Sequence, residues 1–409
     1  MTGTGFPQKI AFDEAQGIVA QTARERAMPS ERTTLSRAHG RVLAQDMIAV
    51  LSQPPFDNSA MDGFALRHAD LGGAESGLRL IGEQFAGLRL DVRIGAGECA
   101  RITTGAPLPH GADTVVMKEN TRMEGDRVHV ETVPLLGAHL RLAGEDARVG
   151  DRILMRGEAL SPSKIALAAS QGFAELNVAR RPTVAVFTSG DELVEPGLPL
   201  APGQIYNSNR EQLMGLLRTD GVEPVAWPTL PDDPDKIASA FRHAANAFDV
   251  VITCGAVSVG EKDHIPALLQ AQGHVLFWKV LMRPGMPLLF AEGAGLGKAL
   301  FLCLPGNPVS VLATYLTLGR DLLDGLQGRA HPRPRWRARL QAPWRKSHER
   351  LEFLRGCLHS GEDGMLHVVP NPADGSHRMR AAADSDALIV LSAGQRDYAV
   401  GDVVDVLPY

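Results

Sequence analysis

Aromatic side chains make up only 5% of this 409-residue chain. Stacking platforms for single-stranded nucleic acid are therefore not expected. An excess of positive charge is missing too. The 42 Lys and Arg stand against 47 Asp and Glu, a net charge of −5. That argues against a nucleic-acid-binding surface as the chain's main business. Cysteine is scarce: Cys99, Cys254, Cys303 and Cys357 are widely separated and form no Cys-x-x-Cys pair. Neither a zinc ribbon nor a redox dithiol is indicated, and the four read as reduced thiols of a cytoplasmic protein. The thirteen histidines show no ligand spacing, so no zinc or copper site is expected. No apolar run reaches the roughly twenty residues that a membrane-spanning helix needs. The first twenty residues lack the apolar core of a signal peptide.

What is present is the composition of a globular protein, 44% hydrophobic and 22% charged, with a length that suggests roughly two to four domains. Phe12 to Met28 has apolar residues spaced by three and four and predicts a helix; Leu35 to Ile48 continues in a helix-like or mixed pattern. From Pro54 to about Leu140 the texture changes. Short β-prone runs at Leu78–Ile81, Cys99–Thr103, Thr114–Met117 and Arg127–Glu131 alternate with Gly-rich turns, which reads as a small β-rich unit. Ser161 to Ser170 predicts a helix with Pro162 at its first position.

The central region alternates strand and helix. Strands are predicted at Thr183–Thr188, Pro224–Trp227, Val250–Thr253, Val275–Val280 and Ala299–Leu304. Helices are predicted at Arg210–Asp220, Pro234–Ala247, His264–Gln272 and Val309–Leu326. This is the pattern of a doubly wound, mostly parallel α/β sheet. Such sheets bind ligands outside the carboxyl ends of their strands. The turns at Thr188–Glu192, Cys254–Asp263 and Pro305–Ser310 all follow strands, so they are expected to converge there. After a Gly-, Arg- and Pro-rich break near Gln327–Arg335, short strands return at Arg337–Leu340, Met365–Val369, Ala387–Leu391 and Val403–Val406, a small C-terminal β domain.

The chemistry-bearing residues sit in these turns. Pro54 to Ala65 carries Asp57, Asn58, Ser59 and Asp62 among small residues and reads as neither strand nor helix core. Asp57 and Asp62 either hold a metal, a water or a polar substrate, or cap local backbone. Ser258 and Gly260 lie between a strand and a helix, as an anion-binding loop or merely a tight turn. Asp232 and Asp263 suit Mg²⁺ and equally suit helix capping. Glu192 either orients a ligand or serves as a base, or is a first-turn Glu. Lys279 and Arg283 either clamp an oxyanion or are solvated charge. The turn at Pro305, Gly306, Asn307 and Pro308 is stiffened by its two prolines.

Together with Thr103-Thr104-Gly105-Ala106-Pro107 and Gly144-Glu145-Asp146, these segments resemble, in order and over nearly the whole chain, the molybdopterin molybdenumtransferase family, the bacterial MoeA proteins and the E domain of gephyrin. The resemblance implies molybdenum cofactor biosynthesis, with adenylylated molybdopterin and molybdate as substrates, AMP as product and Mg²⁺ as metal ion. It implies a multidomain fold: residues 1–50 with 141–180 as a discontinuous domain, a β-rich insertion at 51–140, a molybdopterin-binding α/β domain at 181–327 and a small β-barrel at 328–409. It assigns catalytic roles to Asp62, Glu192, Asp232 and Asp263, with Asp232 and Asp263 as metal ligands. It assigns substrate binding to Thr104, Asp146, Ser258, Gly260, Lys279, Arg283, Pro305 and Pro308. Arg350, Arg355 and Gly375-Ser376-His377 match family features as substrate contacts. It further implies a cytoplasmic homodimer with a composite active site, working with the molybdopterin adenylyltransferase and apo-molybdoenzymes, and no nucleic-acid or membrane partner. Three positions depart from the family pattern: Ala256 and Cys303 where Gly is usual, and Met286 where Lys is usual. The alternatives are a molybdopterin adenylyltransferase, which shares the sheet domain, and a non-enzymatic pterin-binding scaffold.

Overall fold

A computed structural model describes residues 5–72, 77–87, 91–257 and 263–409. The chain divides into two compact units. One comprises residues 1–44, 157–161 and 175–409, the other residues 45–156 and 162–174.

The first unit is built on a seven-stranded sheet. In chain order its elements are β1 (Gln8–Ile10), α1 (Phe12–Glu25), β2 (Val184–Thr188), α2 (Ser208–Thr219), β3 (Val225–Ala226), α3 (Pro234–Ala247), β4 (Val250–Cys254), α4 (His264–Gln272), β5 (His274–Val280), β6 (Leu289–Glu292), β7 (Leu300–Leu304) and α5 (Pro308–Thr314). The strand order is β1-β5-β6-β7-β4-β2-β3. Four of the neighbour pairs are parallel; β6 alone runs antiparallel to both of its neighbours.

The apolar runs of the inner strands follow from burial on both faces. Val184, Val186, Val250, Ile252, Leu300 and Leu302 face one core. Ala185, Phe187, Val251, Phe301 and Cys303 face the other. Helix α1 contributes Ala15, Val19 and Ala23 to the first core. Helices α3 and α4 cover the second with Ile237, Phe241, Ile265 and Leu269. Beyond α5 the helix passes through a π-helical turn at Tyr315–Gly319 and ends at Leu326.

The C-terminal strands Leu351–Ser360, Leu366–Pro370, Trp336–Leu340, Val403–Pro408 and Ala387–Leu391 pair in that order. Ala387–Leu391 pairs back onto Leu351–Ser360 and closes a small barrel. Closure leaves the barrel strands no free edge.

The second unit holds a six-stranded sheet. Its order is Thr114–Met117, Gly63–Leu66, Glu98–Ile102, Leu78–Gln84, Arg127–Val130 and Thr121–Glu124. The helix Pro162–Ser170 forms as expected.

One expectation is narrowed and another corrected. Leu35 to Ile48 is mixed rather than helical, with a 3₁₀ turn at Leu35–Arg37, isolated bridges at Val42 and Leu43 and a strand at Met47–Ile48. The Pro54–Ala65 motif does enter a sheet, since Gly63–Leu66 is a fully buried strand between two neighbours. Gly63 lacks a Cβ there because one would lie 1.9 Å from the Val116 carbonyl oxygen. No helix among the described residues is long and apolar enough to cross a membrane.

Candidate functional site

The carboxyl ends of β2, β4 and β7 stand side by side, with Thr188 opposite Cys254 and Cys254 opposite Leu304. The turns that follow are knitted together. Ser189 N–H donates to the Cys254 carbonyl, and Gly255 N–H donates to that of Leu304. A cleft of about 500 Å³ opens above them. Glu192, Asp232, Asp263, Pro305 and Pro308 all line it.

Local geometry places these side chains. Gly190 stands at φ 146°, a backbone conformation that L side chains rarely adopt, and an added Cβ would also displace the Glu192 carboxylate. Gly255, at φ 92°, leaves room for the Ser189 carbonyl oxygen, 2.9 Å from where a Cβ would sit. The N-cap of α3 is Asp233, whose side chain accepts from the N–H groups of Asp235 and Lys236. Asp232 is thus not the capping residue. Asp263 stands at the N-cap of α4 and makes no side-chain capping bond.

A second cleft of about 430 Å³ shares Pro287, Pro305, Asn307 and His377 with the first. Arg283, Met286, Ser310 and Arg350 line it. Arg283 donates to Asp374 at 2.8 Å and lies 3.7 Å from Glu352, both on the barrel side. Lys279 lines neither cleft; its Nζ sits 4.4 Å over the Trp278 ring, a cation–π contact. Trp278 in turn donates to the Val257 carbonyl at 3.1 Å. Arg355 is buried and donates to the Ala373 carbonyl, so it braces the 371–374 loop rather than facing a ligand.

In the second unit, Asp62 Oδ1 accepts from both the backbone N–H (2.8 Å) and the hydroxyl (2.9 Å) of Thr104. These two bonds, aided by the charges of Lys118 and Arg101, hold the Asp62 carboxyl below the usual carboxylate range. Asp57 is a backbone brace that accepts from Ala143 N–H. Asp146 is exposed and lines a shallow pocket with Gln53 and Ser170. Ser258 and Gly260 lie outside the described residues.

Sequence reasoning passed over the start of α2. Asn207 caps that helix by accepting from Arg210 N–H, and its amide also donates to Thr188 and Thr229. Asn209 donates to the Gly306 carbonyl at 2.6 Å. Both asparagines line the first cleft, as does Ser189. The signal was the run Asn207-Ser208-Asn209 directly ahead of a helical pattern.

Glu192, Asp232 and Asp263, which line the first cleft, offer the hard oxygen donors that Mg²⁺ prefers. Among the described residues no group of three or more His, Cys, Asp or Glu could hold a metal by itself.

Residues 10–172 match the MoeA N-terminal region (domain I and II), residues 185–325 a probable molybdopterin binding domain, and residues 337–409 the MoeA C-terminal region (domain IV). A molybdopterin molybdenumtransferase of Haemophilus influenzae is 37% identical, covering 93% of this chain and 94% of its own. One from a Nostoc species is 35% identical, over 92% and 88%. A crystal structure of a molybdopterin biosynthesis MoeA protein from Pyrococcus horikoshii superposes with TM-score 0.82 at 26% identity, over 98% of this chain and all of that one. Neither the adenylyltransferase nor the scaffold alternative is favoured. The chain belongs to the molybdopterin molybdenumtransferase family, transferases of molybdenum cofactor biosynthesis.

Proposed function

We propose that this chain takes adenylylated molybdopterin and molybdate, places the metal at the dithiolene and releases AMP. The observation that carries the reading is the cleft itself. Glu192, Asp232 and Asp263 meet there, and it continues into a second cleft lined by Arg283 and Arg350. Carboxylates at one end suit a cation and an activated water, while guanidinium groups at the other suit an oxyanion.

In this reading Asp232 and Asp263 hold Mg²⁺, and Glu192 orients the water that attacks the phosphoanhydride. Bound Mg²⁺ supplies charge neutralisation at the phosphate oxygens. The rigid Pro305–Pro308 turn fixes the floor on which the substrate rests. Ser258 and Gly260 offer donors to the phosphate. Lys279 supplies positive field from its place on Trp278, and Arg283, braced by Asp374, faces the molybdate. Asp62 is kept as an anion by Thr104, so it acts as an acceptor or base rather than as an acid, and Asp146 assists on the same unit.

The proposal includes a homodimer in which the Asp62 segment of one copy serves the cleft of the other. It includes hand-over with the molybdopterin adenylyltransferase and apo-molybdoenzymes. It includes a cytoplasmic location, which the four free thiols support. The test is AMP release from adenylylated molybdopterin with and without molybdate. Release that requires molybdate supports the reading. Synthesis of the adenylate from ATP instead would replace it with the adenylyltransferase.

A further inference from the structure

The first cleft contains a polar group without a role in the chemistry so far described. Asn209 Oδ1 is buried and has no hydrogen-bond partner among the described residues. The orientation of its amide is fixed by chemistry. The Gly306 carbonyl, 2.6 Å away, can only accept, so the Asn209 nitrogen must face it. The oxygen is therefore the end of the amide without a partner among the described residues, in a residue that lines the cleft. One helical turn on, Gln212 Oε1 is a second buried acceptor with no donor among the described residues. Residues three apart share a helix face. A buried acceptor left unpaired is costly, and the requirement is met when a donor arrives.

The kind of donor follows. An acceptor oxygen repels phosphate and molybdate, so Asn209 does not serve the anionic part of a ligand. It suits an N–H. On the substrate proposed above, the N–H groups are those of its two heterocycles: the 6-amino group of adenine and the 2-amino and ring N–H edge of the pterin. Ser189 Oγ, also buried in the cleft wall without a partner among the described residues, can donate or accept beside it.

We infer that Asn209 is a specificity-determining residue, accepting a hydrogen bond from an amino-substituted heterocycle of the substrate through Oδ1 while its amide nitrogen holds the Gly306 carbonyl. This inference rests on the molybdenum-insertion reading for the identity of the ligand. Sites built to hydrogen-bond a ligand N–H reject analogues lacking it, because the protein oxygen is then left facing another acceptor.

The experiment compares ligands that differ only at the amino group. AMP is titrated against inosine monophosphate, in which an oxygen replaces the 6-amino group. Pterin is titrated against lumazine, in which an oxygen replaces the 2-amino group. Isothermal titration with the full chain should show a preference of about tenfold for the amino ligand in one pair, and that pair names the heterocycle. Asn209→Leu should bring that preference close to one, by weakening the amino ligand and sparing the oxo ligand. A loss that is equal for both ligands of a pair marks a purely positioning role through Gly306 and overturns the inference. So does a wild-type protein with no preference in either pair, whatever the variants do. Molybdate-dependent AMP release by the wild type is measured alongside. Its absence would fail the functional reading while leaving the ligand preference to be judged by itself.

Discussion

Ala256 stands at φ 50°, in the left-handed region, at a position where the family pattern has Gly. A Cβ there costs roughly 1–2 kcal/mol. Ala256→Gly is therefore expected to stabilise the protein by about 0.5–1 kcal/mol, after the greater freedom Gly has in the unfolded chain is subtracted. A denaturant melt checks this; a lower midpoint would mean that packing of the Ala256 methyl against the Phe187 and Val251 core outweighs the backbone strain. Asp62 shows the opposite case, a residue whose state is set by its partner. Its folded-state titration lies below the ordinary 3.8 because Thr104 donates to it twice. The bonds thus stabilise the fold above that ordinary value and are lost as pH falls through the depressed one. Thr104→Val removes the hydroxyl and should move the Asp62 titration upward, read from carboxyl carbon shifts in NMR. Asp62→Asn should abolish molybdenum insertion and leave the fold intact, with at most a small fall in melting temperature from the weakened Thr104 bonds; normal insertion would remove Asp62 from the mechanism. Met286 lines the cleft beside Arg283 and Arg350 but brings no charge. Met286→Lys adds three donors and should lower the molybdate needed for half-maximal AMP release by roughly tenfold or more. An unchanged requirement would mean that position 286 does not face the anion.

Among elements, the start of helix α3 separates two jobs that adjacent carboxylates could share. Asp233 caps the helix, while Asp232 lines the cleft. Asp233→Ala should cost about 1 kcal/mol of stability and leave the Mg²⁺ concentration for half-maximal rate where it was. Asp232→Ala and Asp263→Ala should raise that concentration. If the two phenotypes are exchanged, the metal assignment fails. From the sequence alone, capping could not be assigned between Asp232 and its neighbours, because both precede Pro234 and only the chain's path decides which side chain turns back on the helix. Elements with strong periodicity were legible to the residue: helices Pro234–Ala247 and His264–Gln272 and the strand Ala387–Leu391 formed with the predicted bounds. Gly63–Leu66 was hidden because its four residues follow a polar loop and show no alternation. β6 was hidden because Leu289–Glu292 lies between two longer apolar runs. The convergence of the Glu192, Asp263 and Pro305 turns was legible because each follows a buried strand. Asn209 was not, since nothing local tells that the first turn of α2 opens on a cleft.

For the whole molecule, the composite homodimer predicts complementation between dead variants. Mixing Asp62→Asn with Asp263→Ala protein should give hybrids in which one site carries both lesions and the other carries neither. With random exchange about a quarter of all sites are then intact, and AMP release should recover to about that fraction of wild type. No recovery, with subunit exchange shown by mass spectrometry, would mean that each copy works alone.

Strand β1 pairs in parallel with β5, Gln8 lying against Trp278. Strand β1 therefore has no neighbour until the segment holding Trp278, far later in the sequence, has been synthesised. Pairing so distant in sequence is slow to form, because a long loop must close before any contact rewards it. The sheet edge at β5 is thus completed from the opposite end of the chain. The three residues of β1 arrive as a late closing stitch on a sheet whose other strands lie between residues 184 and 304. A nascent chain stalled before Trp278 would carry β1 unpaired and open to proteases, and one extended beyond β7, which anchors β6 and β5 to the rest of the sheet, would not.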